Sequence, residues 1–488
     1  MARVIGLDIG TTSTIGILLD TETGERRIAT RPVTLSSPQP GWAEEDPEEW
    51  WRNSVSILRE LGGGVSAVGV TGMVPATVLL DRAGRLLRPS IQQSDGRVAA
   101  QVAEIAAETD ATRFLARTGN GVNQQLVATK LRWLEAHEPD VFAAIGTVFG
   151  SYDYINLRLT GARRIEQNWA LEGGFVDLAD GRVAADLVAL AHISPDQLPP
   201  LAASLEVVGT IEATETGLAA GKPVVAGCAD HVASAFVAGI VRDGDLLLKF
   251  GGAGDILLAT DRPVPDARLF LDHHLVPGKF LPNGCMAASG AVLNWVVATM
   301  AAHLPPETAH AQLDALADAV PAGSEGLLLL PYFLGEKTPI NDPLARGALV
   351  GLGLHHTLGH IWRAALEAVA FGFRHHIDVF DELGLAVRRV VASDGGARSA
   401  VWMQIAADVI GRPIQLLHGH PGSCLGAAYL AAVATGGLPD WEQIGRFVQP
   451  ATTVRPDPAR TRTYDAAYEK YRALYPALVP HFHGTHAA

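Results

Sequence analysis

The run Asp8-Ile9-Gly10-Thr11-Thr12-Ser13 ends an apolar stretch on a carboxylate, then adds a glycine and three hydroxyl residues. A strand that buries an aspartate loses stability unless something outside the chain uses the charge. A sharp turn after such a strand aims several backbone N–H groups and hydroxyls at one point, which suits phosphate oxygens. Asp8 beside them can hold a hydrated Mg²⁺. A plain hairpin turn would not need the aspartate.

Two further stretches carry comparable chemistry. In Ala226-Gly227-Cys228-Ala229-Asp230-His231, an apolar strand ends in small residues and Asp230 heads an alanine-rich helix. Taken alone, Asp230 reads as an ordinary helix N-cap. Its functional reading is a carboxylate that takes the proton of an acceptor hydroxyl as phosphoryl transfer proceeds. In Ser393-Asp394-Gly395-Gly396-Ala397-Arg398-Ser399, glycines between strand and helix let a flat ring or a phosphate approach the backbone closely. Strand–helix turns use glycine for steric reasons as well.

The elements that must position these residues follow from periodicity. Residues 3–8, 14–20 and 25–34 read as a β-meander, followed by a helix near 48–61 and a strand at 65–70. VLLD (78–81) and helices near 96–108 and 124–136 come next, so the order is that of a mixed α/β domain. The pattern restarts at DLLLKFGGAGDILLATD (245–261), again a strand, a glycine-bearing turn and a strand. Two such hairpins suggest two domains of one core topology with a cleft between them, and a boundary near Arg242-Asp243-Gly244. Helices near 288–303, 358–382 and 398–410, strands LLLLPYF (327–333) and RRVVAS (388–393), and a last helix near 458–474 complete the second half. In the long helix, Ile361, Ala365, Val369, Phe373, Ile377 and Phe380 share one face.

Composition bounds the class. At 488 residues the chain exceeds one ordinary core, and 48% hydrophobic with 18% charged residues describes a globular protein. A formal charge of -14 argues against nucleic acid or an anionic membrane as partner. No apolar run reaches the length of a membrane span and no signal peptide opens the chain. Cys228, Cys285 and Cys424 sit among small apolar residues and read as reduced core positions of a cytoplasmic protein. The pairs His273-His274, His355-His356 and His375-His376 lack metal spacing, and the histidine-rich tail at 481–486 reads as a frayed end.

Order and spacing of these pieces resemble the FGGY carbohydrate kinase family, within the actin-like, ribonuclease-H-like ATPase superfamily. Matches run the whole chain: PGWAEEDPEEWW (40–51), SDGR (94–97), YDYINLRLTG (152–161), GEKTPINDPLARGALVGL (335–352), GGARSAVWMQIAADVIGRPI (395–414) and GSCLGAAYLA (422–431). The resemblance implies an α/β fold of two actin-like domains that close over ATP·Mg²⁺ and a sugar or polyol in an interdomain cleft. Residues 1–244 would carry the sugar site, the first phosphate loop and the base; residues 245–488 would carry the second phosphate loop and the adenosine site. By position, Asp8 and Asp230 would hold Mg²⁺, directly or through water, and Gly10, Thr11, Thr12 and Ser13 would line the phosphates. Asp230 would also be the catalytic base. Gly251, Gly252, Ala253 and Gly254 would form the second phosphate loop, with Gly395, Gly396 and Ala397 against the adenine-ribose. Closure about a hinge near 242–245 would exclude water.

Three positions depart from the family pattern. Ile15 stands where members commonly place Lys or Arg, and the second loop reads Gly251-Gly252-Ala253 instead of Gly-Thr-Ser. Lys249 could supply the missing charge, or point outward on an alternating strand. Xylulose kinases show Gln-Met-His-Gly after the strand that here ends at Gly72, and glycerol kinases an Arg-Glu pair; this chain has Met73-Val74-Pro75-Ala76. His231 replaces the Asn or Gln of those members. The pocket is therefore expected to read hydroxyls through Gln93, Asp95, Asp230 and His231, with Val74 and Pro75 as an apolar wall.

The resulting expectation is ATP-dependent phosphorylation of a small sugar or polyol, a ketopentose such as xylulose first, by a protein that forms a homodimer or stays single. A degenerate sugar or nucleotide sensor and an actin-like or chaperone-like ATPase are the rivals.

Overall fold

The computed structural model describes residues 2–420 and 422–484. The first half opens on β1 (Arg3–Ile9), β2 (Ser13–Asp20) and β3 (Arg26–Pro32), an antiparallel meander. Helix α1 (Pro47–Leu61) then leads to β4 (Ala67–Gly72), which lies parallel to β1. The helices α2 (Val127–His137), α3 (Ser151–Thr160) and α4 (Gln167–Glu172) precede β5 (Val207–Thr210), β6 (Pro223–Ala229) and α5 (Asp230–Val237). The six strands are ordered β5-β6-β4-β1-β2-β3.

Local chemistry explains these elements. All of β1 beyond Arg3 is buried, as a strand covered on both faces must be. Asp46 caps α1 by accepting the Glu48 N–H, Pro47 starts the first turn, and Trp50, Ile57 and Leu58 face inward. Gly16 lets α1 come close, because a Cβ there would lie 2.2 Å from Ile57.

The second half repeats the plan with β7 (Asp245–Phe250), β8 (Gly254–Leu258), β9 (Phe270–His273) and β10 (Phe280–Met286). Helices α6 (Gly290–Met300) and α7 (Leu358–Glu382), strand β11 (Arg389–Ser393), helix α8 (Ala400–Ile410) and strand β12 (Ile414–Leu417) follow. Helix α9 (Ser423–Ala434), strand β13 (Pro450–Val454) and helix α10 (Pro458–Gly484) end the described chain. This sheet runs β9-β10-β8-β7-β11-β12-β13. The meander β3-β2-β1 with parallel β4 and β6 is thus echoed by β10-β8-β7 with parallel β11 and β12.

Two helices join the halves. The chain passes from β6 through α5 to β7, while α9 leaves β12 and packs back on β1, β4 and α5. A Cβ at Gly6 would fall 1.9 Å from the Cys424 carbonyl, so glycine is required where α9 crosses β1. The first core consequently includes Cys424, Leu425, Tyr429, Leu438, Ile444 and Phe447, and a cut at 244/245 does not separate the two cores.

The structure corrects several expectations. Helix Ala111–Thr118 was not anticipated, and the 327–333 strand shortens to Leu328–Leu330 because Pro331 cannot continue the ladder. Helix α10 runs on to Gly484 despite Pro476 and Pro480. Its end is docked: Phe482 is buried and His483 Nε2 lies 2.9 Å from Asp342 Oδ2. Residues 481–484 are therefore not frayed, and 485–486 lie outside the described residues. Cys228 and Cys424 are buried and Cys285 is partly buried, all three unpaired. Among the described residues no helix is long and apolar enough to cross a membrane.

Candidate active site

The first hairpin turn is closed by Gly10 N–H donating to the Ser13 carbonyl at 3.1 Å. Just before it, Asp8 is buried; its Oδ2 accepts from Ser423 Oγ at the start of α9, and its Oδ1 is buried without a partner. Burial, reinforced by Asp230, pushes this carboxyl up to about 7. A buried carboxylate oxygen with no donor is a group that a hydrated cation would satisfy. Ser423 was not singled out in the sequence, although it opens the small-residue run GSCLGAAYLA.

Across the cleft floor, Asp230 is the first residue of α5, carried on the end of β6. Its Oδ1 accepts the His231 backbone N–H at 2.6 Å and lies 3.5 Å from His231 Nδ1. Burial opposes its ionisation, but His231 and Lys249 outweigh burial and hold the carboxyl below its usual range. His231 Nε2 in turn lies 2.9 Å from Asp272 Oδ2 and 3.9 Å from Glu172 Oε1. Burial works against the imidazolium, yet Asp272, Asp230 and Glu172 raise its pKa well above the ordinary histidine value. Asn283 Nδ2 also donates to Asp272 Oδ2, at 2.8 Å.

Glu172, His231 and Asp272 place ligand atoms within 4.8 Å of one another, the spacing of a metal cage. A charged imidazolium has no lone pair for a metal, and here it serves as the cation of the group. Neither Glu172 nor Asp272 was legible as a site residue, since α4 and β9 meet α5 only in the tertiary structure. Both ring nitrogens of His231 already face carboxylates.

Lys249 does not point outward. Its side chain is 18% exposed and its Nζ lies 3.1 Å from Asp255 Oδ2. Burial opposes the charge, but Asp255, Asp394 and Asp230 more than compensate and hold the ammonium protonated. Asp394, one of these carboxylates, has φ 74°, a left-handed value rare outside glycine.

Beyond the second hairpin turn lies a cavity of about 520 Å³ bounded by Gly251, Gly252, α6, Trp362, Gly395, Gly396 and Trp402. The structure thus brings the second turn and the Gly-Gly pair to one pocket. A Cβ on Gly252 or Gly395 would meet only open space, as a cradle for a ligand requires. Gly396 has a different reason: a Cβ there would be 2.4 Å from Trp402 and 2.7 Å from Phe250. Ala253 is exposed on the turn, Gly254 is buried against Met286, and Ala397 packs on the second core.

The expected sugar-reading residues part company. Val74 and Pro75 are buried, joined by a cis peptide bond, and the Pro75 carbonyl accepts from Lys130 Nζ at 2.7 Å. Burial pushes the Lys130 amine down to about 7. Gln93 is half-buried. Asp95 is fully buried and both oxygens are taken: Oδ2 accepts from Ala43 N–H and Arg97 Nη2, Oδ1 from Arg97 N–H and Nε. A carboxylate accepting four hydrogen bonds has none left for a sugar, so Asp95 leaves the reading set. It instead anchors Arg97, whose guanidinium stacks 3.7 Å over Trp42.

Two sheets of matching topology, each opening with a hairpin, give the chain the two-domain α/β architecture of the actin-like fold class. The chain belongs to the FGGY family of carbohydrate kinases: the family's N-terminal domain matches residues 3–237 and its C-terminal domain residues 251–435. It is a carbohydrate kinase, an enzyme that phosphorylates an alcohol group. The xylulose kinase of Escherichia coli K12 is 31% identical, over 98% of this chain and 99% of that one. The crystal structure of xylulose kinase from Rhodospirillum rubrum is 56% identical with a TM-score of 0.93, covering 99% of this chain and 100% of that one. A gluconate kinase from Lactobacillus acidophilus is 26% identical with a TM-score of 0.91, over 98% of both chains.

Proposed function

We propose that the chain phosphorylates a hydroxyl of a small ketose with ATP·Mg²⁺, a ketopentose such as xylulose being the leading acceptor. The observation that carries the reading is Asp230, braced by His231 and near enough to Asp8 to raise its carboxyl, whose Oδ1 is buried without a partner. Asp230 takes the proton of the acceptor hydroxyl as that oxygen attacks phosphorus in line. Backbone N–H groups of Thr11 to Ser13, in the turn that Gly10 closes, and of Gly251 to Gly254 face phosphate oxygens, and the adenine-ribose lies against Gly395 and Gly396. Asp8 holds Mg²⁺, which when bound neutralises phosphate charge. The strong likeness to xylulose kinases along the full chain supports the acceptor, while Glu172, His231 and Asp272 set the polar side of its pocket.

Coupled ADP release over ketoses, aldoses and polyols tests this. Turnover stimulated most by a ketopentose is expected. Absence of sugar stimulation, or equal turnover without sugar, overturns the reading.

A further inference from the structure

The two hairpins are topological equivalents, and that equivalence gives Asp8 a counterpart of opposite charge. Asp8 is the next-to-last residue of β1 and pairs across its hairpin with Ile15. Lys249 is the next-to-last residue of β7 and pairs across its hairpin with Asp255. Each has a hydroxyl residue beside it on the parallel strand, Thr71 next to Asp8 and Ser393 next to Lys249.

The charges of the cleft are unbalanced without this lysine. Neither the Gly10–Ser13 turn nor the Gly251–Gly254 turn contains Lys or Arg, and Ile15 is aliphatic. Asp8, Asp230, Asp255 and Asp394 all act on Lys249, yet only Asp255 stands within ion-pair distance, at 3.1 Å. An ammonium offers three donors, so donors remain for a ligand. Lys249 also directly precedes Phe250, the first residue lining the 520 Å³ cavity. A polyphosphate entering this acidic floor needs a fixed cation, and a lysine already held in place costs less to use than a free surface chain.

We propose that Lys249 is the cation that grips the terminal phosphate of the nucleotide, delivered from the second hairpin and held ready by Asp255. The inference rests on the kinase reading for the identity of the nucleotide. Because the grip comes from the second sheet while Asp8 and Asp230 lie on the first, binding the terminal phosphate ties the two halves together.

Calorimetric titration of the full chain with ATP and with ADP, each with Mg²⁺ and without sugar, tests it. Lys249→Met should weaken ATP by about 30-fold or more while ADP stays within about threefold. Lys249→Arg should keep most of the preference for ATP. Adding Ile15→Lys to Lys249→Met should restore part of it, because position 15 faces Asp8 on the equivalent hairpin. Should Lys249→Met fail to fold, the ATP-to-ADP ratio of Lys249→Gln decides in its place. Equal losses for ATP and ADP, or none, overturn the proposal and leave Lys249 as a structural partner of Asp255. If the unaltered protein binds ATP but phosphorylates no sugar, the kinase reading falls while the ATP-to-ADP ratio still judges Lys249.

Discussion

Asp272 Oδ2 lies 2.9 Å from His231 Nε2 and ties the residue after Asp230, the proposed base, to an edge strand of the other sheet. The same imidazolium lies 3.5 Å from Asp230 Oδ1, so Asp272 acts on the proposed base through His231. Asp272→Asn should lower kcat about tenfold or more with little change in ATP affinity. With Asp272 neutral, His231 loses its proton more readily and supports the Asp230 charge less. The acid limb of the pH–rate profile should then move to higher pH, because the base must be ionised to work. Steady-state kinetics across pH read both effects; an unmoved limb would make Asp272 a packing residue only.

Asp230→Asn should abolish transfer, by about 10²–10⁴-fold or more. It should not weaken the fold, since Asp230 is one of the groups that raises the Asp8 carboxyl and its removal relieves that repulsion. Thermal unfolding at or above the unaltered protein's midpoint, with retained ATP binding, is the expected pair of results.

Two adjacent glycines should separate ligand from packing effects. Gly395→Ala places its methyl in open space on the cavity wall and should weaken nucleotide with little loss of stability. Gly396→Ala drives its methyl against Trp402 and Phe250 and should cost about 1–3 kcal/mol of stability. Denaturant titration alongside nucleotide binding would check the contrast.

Glu45 offers a pH test away from the cleft. It is 1% exposed, one oxygen accepts from Trp50 Nε1 at 2.8 Å, and the other is unpartnered. Burial raises its carboxyl from 4.5 to about 8. Between those values the unfolded chain has lost the proton that the folded chain keeps, so stability falls as pH rises through the window. Glu45→Gln removes that loss. Its stability relative to the unaltered protein should rise by about 1–3 kcal/mol from pH ~5 to pH ~8 in urea titrations.

Much of the fold was legible because its causes are local. The hairpin at 3–20, the Asp46-capped helix and the full span of the 358–382 helix each follow from apolar period and end signals a few residues apart. The strand-end positions of Asp8 and Asp230 were legible for a related reason: each is a carboxylate beside a small-residue turn. Helix α10 was cut short because Pro476 and Pro480 are local stop signals, which docking of Phe482 and His483 on distant residues overrides.

Sequence alone determined the two repeated hairpins, their glycine-bearing turns and the strand-end places of Asp8 and Lys249, since each is written in a few neighbouring positions. Only the tertiary structure decided which charges meet. Strand alternation offers two environments, core and solvent, and so left an outward Lys249 as one of its two readings; the cleft is a third environment that exists only when one sheet faces the other. It took Asp95 out of the site by saturating it with Arg97, and it brought Glu172 and Asp272 to His231 from remote elements. Electrostatic partners act over distances set by folding rather than by spacing along the chain.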